Sequence, residues 1–383
     1  MKIGVVIEKL YSGGTQKVAI LEVANFRKLG LNADLLVLKR SKEIGFSDLL
    51  KSKKIEPIYI SDYIPKYLDF NFKIPFFAFF SLFHITYPFL IKIFVKKFNY
   101  DLYIAHGTYT TYSVFSLANK KEKVISFVHD PISYILGAKY KNKVIGKLGF
   151  LLIPLAKYLD KVIINNSYKV LTYTDEFKTL LNSILPTNKV ELIMDAIETK
   201  SENEISLEKK NYAIAVTKWD SGKNISMLLD IWKKGEMEIL LYIIGKFEPE
   251  KLQKDVQEKI NGAELKEKIK IIGKVSEKEL NDYYKNAKFL VHPCTEAFGM
   301  TILESASYGC PSVFVKTSGV SSLFGKMELE YQPENENTDE YLKSIDYIQN
   351  LKNTEYKKLA MEFYKSASKT SYEKHCNQIL KLI

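Results

Sequence analysis

At 383 residues the chain is longer than one hydrophobic core usually organises, and 46% hydrophobic with 26% charged residues is ordinary globular composition, which excludes a small module, a fibre and a disordered tail. The formal charge of +11 is uneven: residues 1–195 hold 28 Lys+Arg against 16 Asp+Glu, and the remainder holds 28 against 29. Only Arg27 and Arg40 are arginines, so the cationic chemistry is lysine, suited to phosphate or an anionic membrane surface and not to bidentate reading of bases; nucleic acid is not an expected partner.

In chain order, an apolar strand over 3–7 leads through Gly13-Gly14 into a helix whose face is Val18, Leu21 and Ala24. Strands are predicted over 34–38, 101–105, 123–128, 169–172 and 189–193, with helical stretches between. Alternation of this kind implies a parallel sheet covered on both faces. A polar interval, 198–210, lacks apolar periodicity and is predicted to be a linker. The same grammar then restarts: strands over 212–216, 238–244, 270–272, 288–291 and 312–315 alternate with helices such as 277–285 and 301–308. Beyond Asp339 about four amphipathic helical blocks follow. The expected fold class is therefore α/β, with two doubly wound Rossmann-like domains and a ligand cleft between them. The boundaries are 1–197, the linker 198–210, 211–365, and a last helical piece, 366–383, packing back toward the first domain.

Three cysteines, Cys294, Cys310 and Cys376, form no C-x-x-C pair, so neither a disulfide framework nor a zinc cluster is expected, and a reducing, cytoplasmic compartment is the default. The opening apolar run is too short for a signal-peptide core. Residues 74–91 are uncharged for 18 positions, close to the length of a membrane span, yet contain Pro75, Ser81, His84, Thr86 and Pro88; a buried or interfacial helix is expected there. Residues 143–161 place Val144, Leu148, Leu151, Leu155 and Leu159 at helical spacing beside Lys143, Lys147, Lys157 and Lys161. That pattern serves either a core-facing helix or one lying on an anionic membrane.

Four motifs carry chemistry. Gly13 and Gly14, between a strand and a helix N-terminus, let backbone amides approach an anion. Thr217-Lys218-Trp219-Asp220-Ser221-Gly222-Lys223-Asn224 lacks the first glycine and the last hydroxyl of an NTPase phosphate loop, leaving Lys218 and Lys223 as cations for a diphosphate. In HPCTEAFGMTILESASYGCP, Glu296 falls just past a strand and Glu304 about two helical turns on, with the amides of Phe298, Gly299, Met300 and Thr301 opening the helix between them. His129-Asp130 ends a strand. His84, His106, His292 and His375 have no metal-ligand spacing and are expected to be structural. No D-x-D occurs, so no metal site is expected.

These motifs, in this order, resemble family 4 (group 1) retaining glycosyltransferases of the GT-B fold, with two facing Rossmann-like domains. The similarity is carried by the E-x7-E run with its flanks, by GGTQKVAILEVANFRKLG, SFVHDP, KVLTYTDEFKTLL, VTKWDSGKN and IKIIGKVSEKELNDYYKNAKFLVHP, and it spans nearly the whole chain. It implies a metal-independent enzyme needing no cofactor, with a nucleotide-sugar donor of UDP or GDP type and a glycan or lipid-linked acceptor. Glu304 would then bind ribose, Lys218 and Lys223 the diphosphate, Phe298 to Thr301 the sugar and phosphate, and Glu296 the sugar hydroxyls. Gly13 and Gly14 would close over the phosphates, and His129 would lie near the anomeric carbon. Peripheral attachment to the cytoplasmic membrane face is the expected location. Ala297 and Lys218 depart from the family's usual Gly and Arg, and Ser318-Gly319-Val320-Ser321-Ser322 replaces a later Gly-Gly-x-x-Glu. An inactive binding protein, or a sugar phosphorylase or epimerase of the same architecture, stays as the alternative.

Overall fold

The computed structural model describes residues 1–11, 13–41, 44–68, 82–96, 98–119, 122–139, 149–235, 237–262 and 265–383. They divide into two units, Met1–Ala196 with Tyr372–Ile383, and Ile197–Ser371.

The first unit is built on strands β1 (Lys2–Lys9), β2 (Asn32–Lys39), β3 (Ile58–Tyr59), β4 (Leu102–His106), β5 (Lys123–Phe127), β6 (Lys169–Thr172) and β7 (Val190–Leu192). They pair in the order β3-β2-β1-β4-β5-β6-β7, every pair parallel. The strand order reverses beside β1, and such a switch point opens a crevice at the C-terminal edge of an α/β sheet. β1 reads as a continuous apolar run because helices cover both faces: Ile3, Val5, Val6 and Ile7 are all fully buried. β3, absent from the sequence reading, is two residues long, too short to show a period. Helix Tyr372–Leu380 closes this unit.

The second unit has β8 (Lys210–Val216), β9 (Leu240–Ile244), β10 (Ile269–Gly273), β11 (Ala287–Val291) and β12 (Ser312–Val313), again all parallel, in the order β10-β9-β8-β11-β12. The polar interval 198–210 carries a short 3-10 turn, Glu202–Glu204. The tail forms three helices where four blocks were expected, Thr338–Asn350, Asn353–Ser368 and Tyr372–Leu380.

Two apolar segments differ from expectation or fall partly outside the described residues. Residues 69–81, which include the first part of the uncharged stretch, lie outside them; the rest is helix Leu82–Phe94, with Tyr87 and Ile91 buried and Phe89 65% exposed. Among the described residues no helix is long and apolar enough to cross a membrane. Lys143 and Lys147 also lie outside. Helix Gly149–Asn166 turns Ala156, Asp160, Ile163 and Ile164 inward and leaves Leu155, expected in the apolar stripe, 55% exposed. The cause is Asp160, whose carboxylate accepts the amides of Ile132 (2.9 Å) and Ser133 (3.0 Å) and so sets the rotation of the helix.

Candidate active site

In the second unit the loop after β8 is fixed from beneath by Trp219. Its fully buried indole donates to Ile244 O (2.9 Å), its amide to Lys246 O (2.9 Å), and its carbonyl accepts from Glu248 N (2.8 Å). This close crossing requires Gly245, at φ +125°, because a Cβ there would stand 1.8 Å from Thr217 O. Past Trp219, Asp220 folds the chain back by accepting the Gly222 amide at 2.8 Å, and this aims Lys223 inward while Lys218 stays outside.

The loop after β11 carries Glu296. Lys223 Nζ donates to its Oε1, so the basic loop and the acidic motif meet in one ion pair, each side chain about one-quarter exposed. Burial opposes the lysine's charge, but Glu296 raises its pKa above the usual value. Glu336 ties the two loops from outside, accepting Thr295 N (2.8 Å) and Asn224 Nδ2 (3.0 Å). Ser318 to Val320, the stretch that departs from the family pattern, serves the loop through its backbone: Gly319 N donates to Glu296 O (3.1 Å) and Val320 N to Phe298 O (2.7 Å).

Helix Met300–Ser307 starts from Gly299 at φ +108°, where a Cβ would crowd Ile302 and Val320. Gly299 O accepts the amides of Ile302 (3.1 Å) and Leu303 (3.3 Å), leaving those of Met300 and Thr301 without a partner among the described residues. Two turns on, Glu304 is half-buried and accepts the Tyr284 hydroxyl at 3.2 Å. Lys218 pairs with Glu248 at 2.5 Å on the surface.

His292, Cys294 and Glu296 bring one ligand atom each to within 4.8 Å of one another. Lys223 already supplies the positive charge there. Burial pushes the Cys294 thiol up to about 12, and His292 Nδ1 donates to Cys294 O (3.1 Å). Of the three, Glu296 is the one paired with the Lys223 ammonium group.

In the first unit, Gly13 caps helix Gly14–Lys28 after β1, its carbonyl accepting Lys17 N at 3.2 Å; Ser12 lies outside the described residues. His106 ends β4, and His129 follows β5 on the same sheet edge. His129 Nε2 meets His106 Nδ1 at 3.2 Å, and Tyr173 OH donates to His129 O at 2.6 Å. His106 Nε2 in turn meets Glu22 Oε2 at 2.7 Å, and Glu22 Oε1 meets His375 Nε2 at 2.8 Å. Sequence reasoning treated His106 and His375 as structural and passed over Glu22. The one available signal was a lone charge inside the apolar run VAILEVANF. Glu336, Gly245 and Tyr284 were likewise missed, since only tertiary packing gives them a role.

Residues 196–370 match the family described as Glycosyl transferases group 1. No curated protein matches the chain in sequence. Among solved structures, Anabaena HepE in complex with UDP and glucose has a TM-score of 0.71 at 14% identity, covering 100% of this chain and 98% of its own. Sucrose-phosphate synthase of Thermosynechococcus elongatus scores 0.75 at 14%, with 100% and 98% covered. A S. aureus TarM mutant, solved with fondaparinux, alpha-GlcNAc-glycerol and UDP, scores 0.72 at 12%, with 100% and 99% covered. The match to the group 1 glycosyl transferases thus falls on the second unit, and the fold is that of the GT-B glycosyltransferases.

Proposed function

We propose that the protein is a retaining, metal-independent glycosyltransferase that moves a sugar from a UDP-sugar to a glycan or lipid-linked acceptor. The observation that carries this reading is the Lys223–Glu296 pair at the mouth of helix Met300–Ser307, with Glu304 two turns along it. HepE and TarM, whose folds this chain shares, were solved with UDP, and HepE also with UDP-glucose, which supports the uridine nucleotide.

In this reading Glu304 takes the ribose hydroxyls, and the amides of Met300 and Thr301 with the helix dipole take the phosphates. Lys218 and Lys223 neutralise the leaving diphosphate, work otherwise given to a divalent cation. Glu296, held by Lys223, orients the sugar hydroxyls. The bond from the anomeric carbon to the diphosphate breaks as the acceptor oxygen bonds to that carbon on the same face, and the acceptor's proton passes to the departing phosphate oxygen. The sugar is oxocarbenium-like at the midpoint. The resemblance to the family assigns His129 to the sugar and Gly13-Gly14 to the phosphates. Incubation of the full chain with UDP-sugars in EDTA should release UDP and give a product of retained anomeric configuration. Dependence on magnesium or manganese, or an inverted product, would overturn it.

The acceptor side points to an anionic membrane in the cytoplasm. Lys92, Lys157 and Lys161 are exposed alongside Phe89, Ile93, Leu155 and Tyr158 on two helices of the basic first unit, with exposed Lys96 just past the end of the first. Salt-sensitive sedimentation with anionic but not neutral liposomes is the expected result; absence of binding to either would remove this part.

A further inference from the structure

Glu22, His106, His129 and His375 form one continuous line inside the first unit. The carboxylate of Glu22 and the imidazole of His106 are fully buried. The rings of His106 and His129 lie nearly parallel to Phe127, at 16° and 9°, and His375 stacks on the same phenyl ring at 18°, so their orientations are fixed by packing. With the rings held, the proton positions follow from the partners.

His375 offers Nε2 to Glu22 Oε1 at 2.8 Å and Nδ1 to Met194 O at 2.9 Å. Both partners only accept, so both ring nitrogens must carry protons, and His375 is an imidazolium. Glu22 is its carboxylate: burial works against the charge, yet the two histidines hold the carboxyl down at about 2, and Glu22 in turn raises the pKa of His375. An ionised Glu22 oxygen facing His106 requires Nε2–H there. With Nε2–H committed to Glu22, whose charge His375 already matches, a singly protonated His106 has its lone pair on Nδ1, and the proton between the two rings is then the one on His129 Nε2. Asp195, the other buried acid near this group, makes no hydrogen bond to either ring that would alter the count.

We infer that Glu22, kept ionised by His375 of the C-terminal helix, acts through His106 to fix His129 as the Nε2–H tautomer, so that His129 presents the Nδ1 lone pair as an acceptor. Glu22, His106 and His375 are positioning residues. Nδ1 of His129 has no hydrogen-bond partner among the described residues, and burial lowers its ring to about 3, which keeps that lone pair available at neutral pH. Such a nitrogen accepts a hydrogen bond from a sugar hydroxyl and cannot donate one. The inference rests on the proposed role of His129 at the sugar.

The test is long-range 1H–15N correlation spectroscopy on the full chain labelled in histidine. Wild type should show His129 protonated at Nε2 and His375 at both nitrogens. In Glu22→Gln, the amide oxygen still serves His375 while the NH2 faces His106 Nε2. That reverses the relay and moves the His129 proton to Nδ1. With it kcat should fall at least ~10-fold with KM for the donor within ~2-fold, in line with loss of a positioned hydrogen-bond acceptor at the sugar. A His129 protonated at Nδ1 in wild type overturns the inference, as does an unchanged tautomer in Glu22→Gln. If that variant does not fold, the wild-type spectrum alone decides. The expected tautomer together with full activity in His129→Ala would instead strike the functional role of His129, leaving the relay in place.

Discussion

Lys223 and Glu296, 73 residues apart, share one hydrogen-bonded ion pair that joins the loop after β8 to the loop after β11. Each residue came from a separate motif, and neither motif specifies the other. The pair gives a direct contrast with Lys218, whose partner Glu248 is 45% exposed. Lys223→Ala should destabilise the protein by about 1–3 kcal/mol, because a partly buried carboxylate loses its cation. Lys218→Ala should stay within about 0.5 kcal/mol, as exposed pairs do. Urea denaturation of both variants measures the difference, and equal losses would contradict the pairing.

The two carboxylates of the E-x7-E motif should fail differently. Glu304→Gln is expected to weaken UDP binding about 10-fold, the loss of one charge-assisted hydrogen bond. Glu296→Gln should lower kcat about 100-fold while the Kd for UDP changes less than about 2-fold, since its work is on the reacting sugar. Calorimetric titration with UDP beside steady-state kinetics separates them; matching losses of UDP affinity would remove the division of roles.

Gly245→Ala tests the support beneath the basic loop. Its Cβ would lie 1.8 Å from Thr217 O, in a left-handed backbone conformation, so the loop must move. The expected cost is about 3 kcal/mol or more, with UDP binding weakened alongside. Retention of both wild-type stability and affinity would show that the crossing is not as described.

Asp195 is fully buried, and burial pushes its carboxyl up to about 6 from a usual 3.8. An unfolded chain ionises this group first, so folded wild type loses stability as pH rises from about 4 to about 6, by at most about 3 kcal/mol. Asp195→Asn abolishes that loss. Its melting temperature relative to wild type should therefore rise between pH 4 and pH 7. A difference that is flat or falls with pH would contradict the shift.

Periodicity and punctuation were enough to locate eleven of the strands, because runs such as the one through Ile3 and Ile7 must be apolar to be covered on both faces. β3 escaped, being only Ile58–Tyr59. Motif spacing brought out Glu296, Glu304 and Lys223, whose local chain geometry is set within a few residues. It could not reveal that Glu336 clamps both loops, or that Glu22 joins His106 to His375. Those contacts span 41, 84 and 353 residues, and nothing local in the chain announces such a partner.

The first unit is discontinuous along the chain, since its last helix, Tyr372–Leu380, is reached only after the whole of the second unit has been traversed. Synthesis therefore presents the sheet of β1 to β7 long before His375 exists to face Glu22. Domains usually fold as they emerge, N-terminal first. Here the nascent unit would have to bury a carboxylate without its imidazolium, which favours a protonated Glu22 or an open site until helix Tyr372–Leu380 has been made. The proposed orientation of His129 is thereby tied to the arrival of helix Tyr372–Leu380, and a chain stopped before it would carry every motif of the proposed site with His129 still undirected.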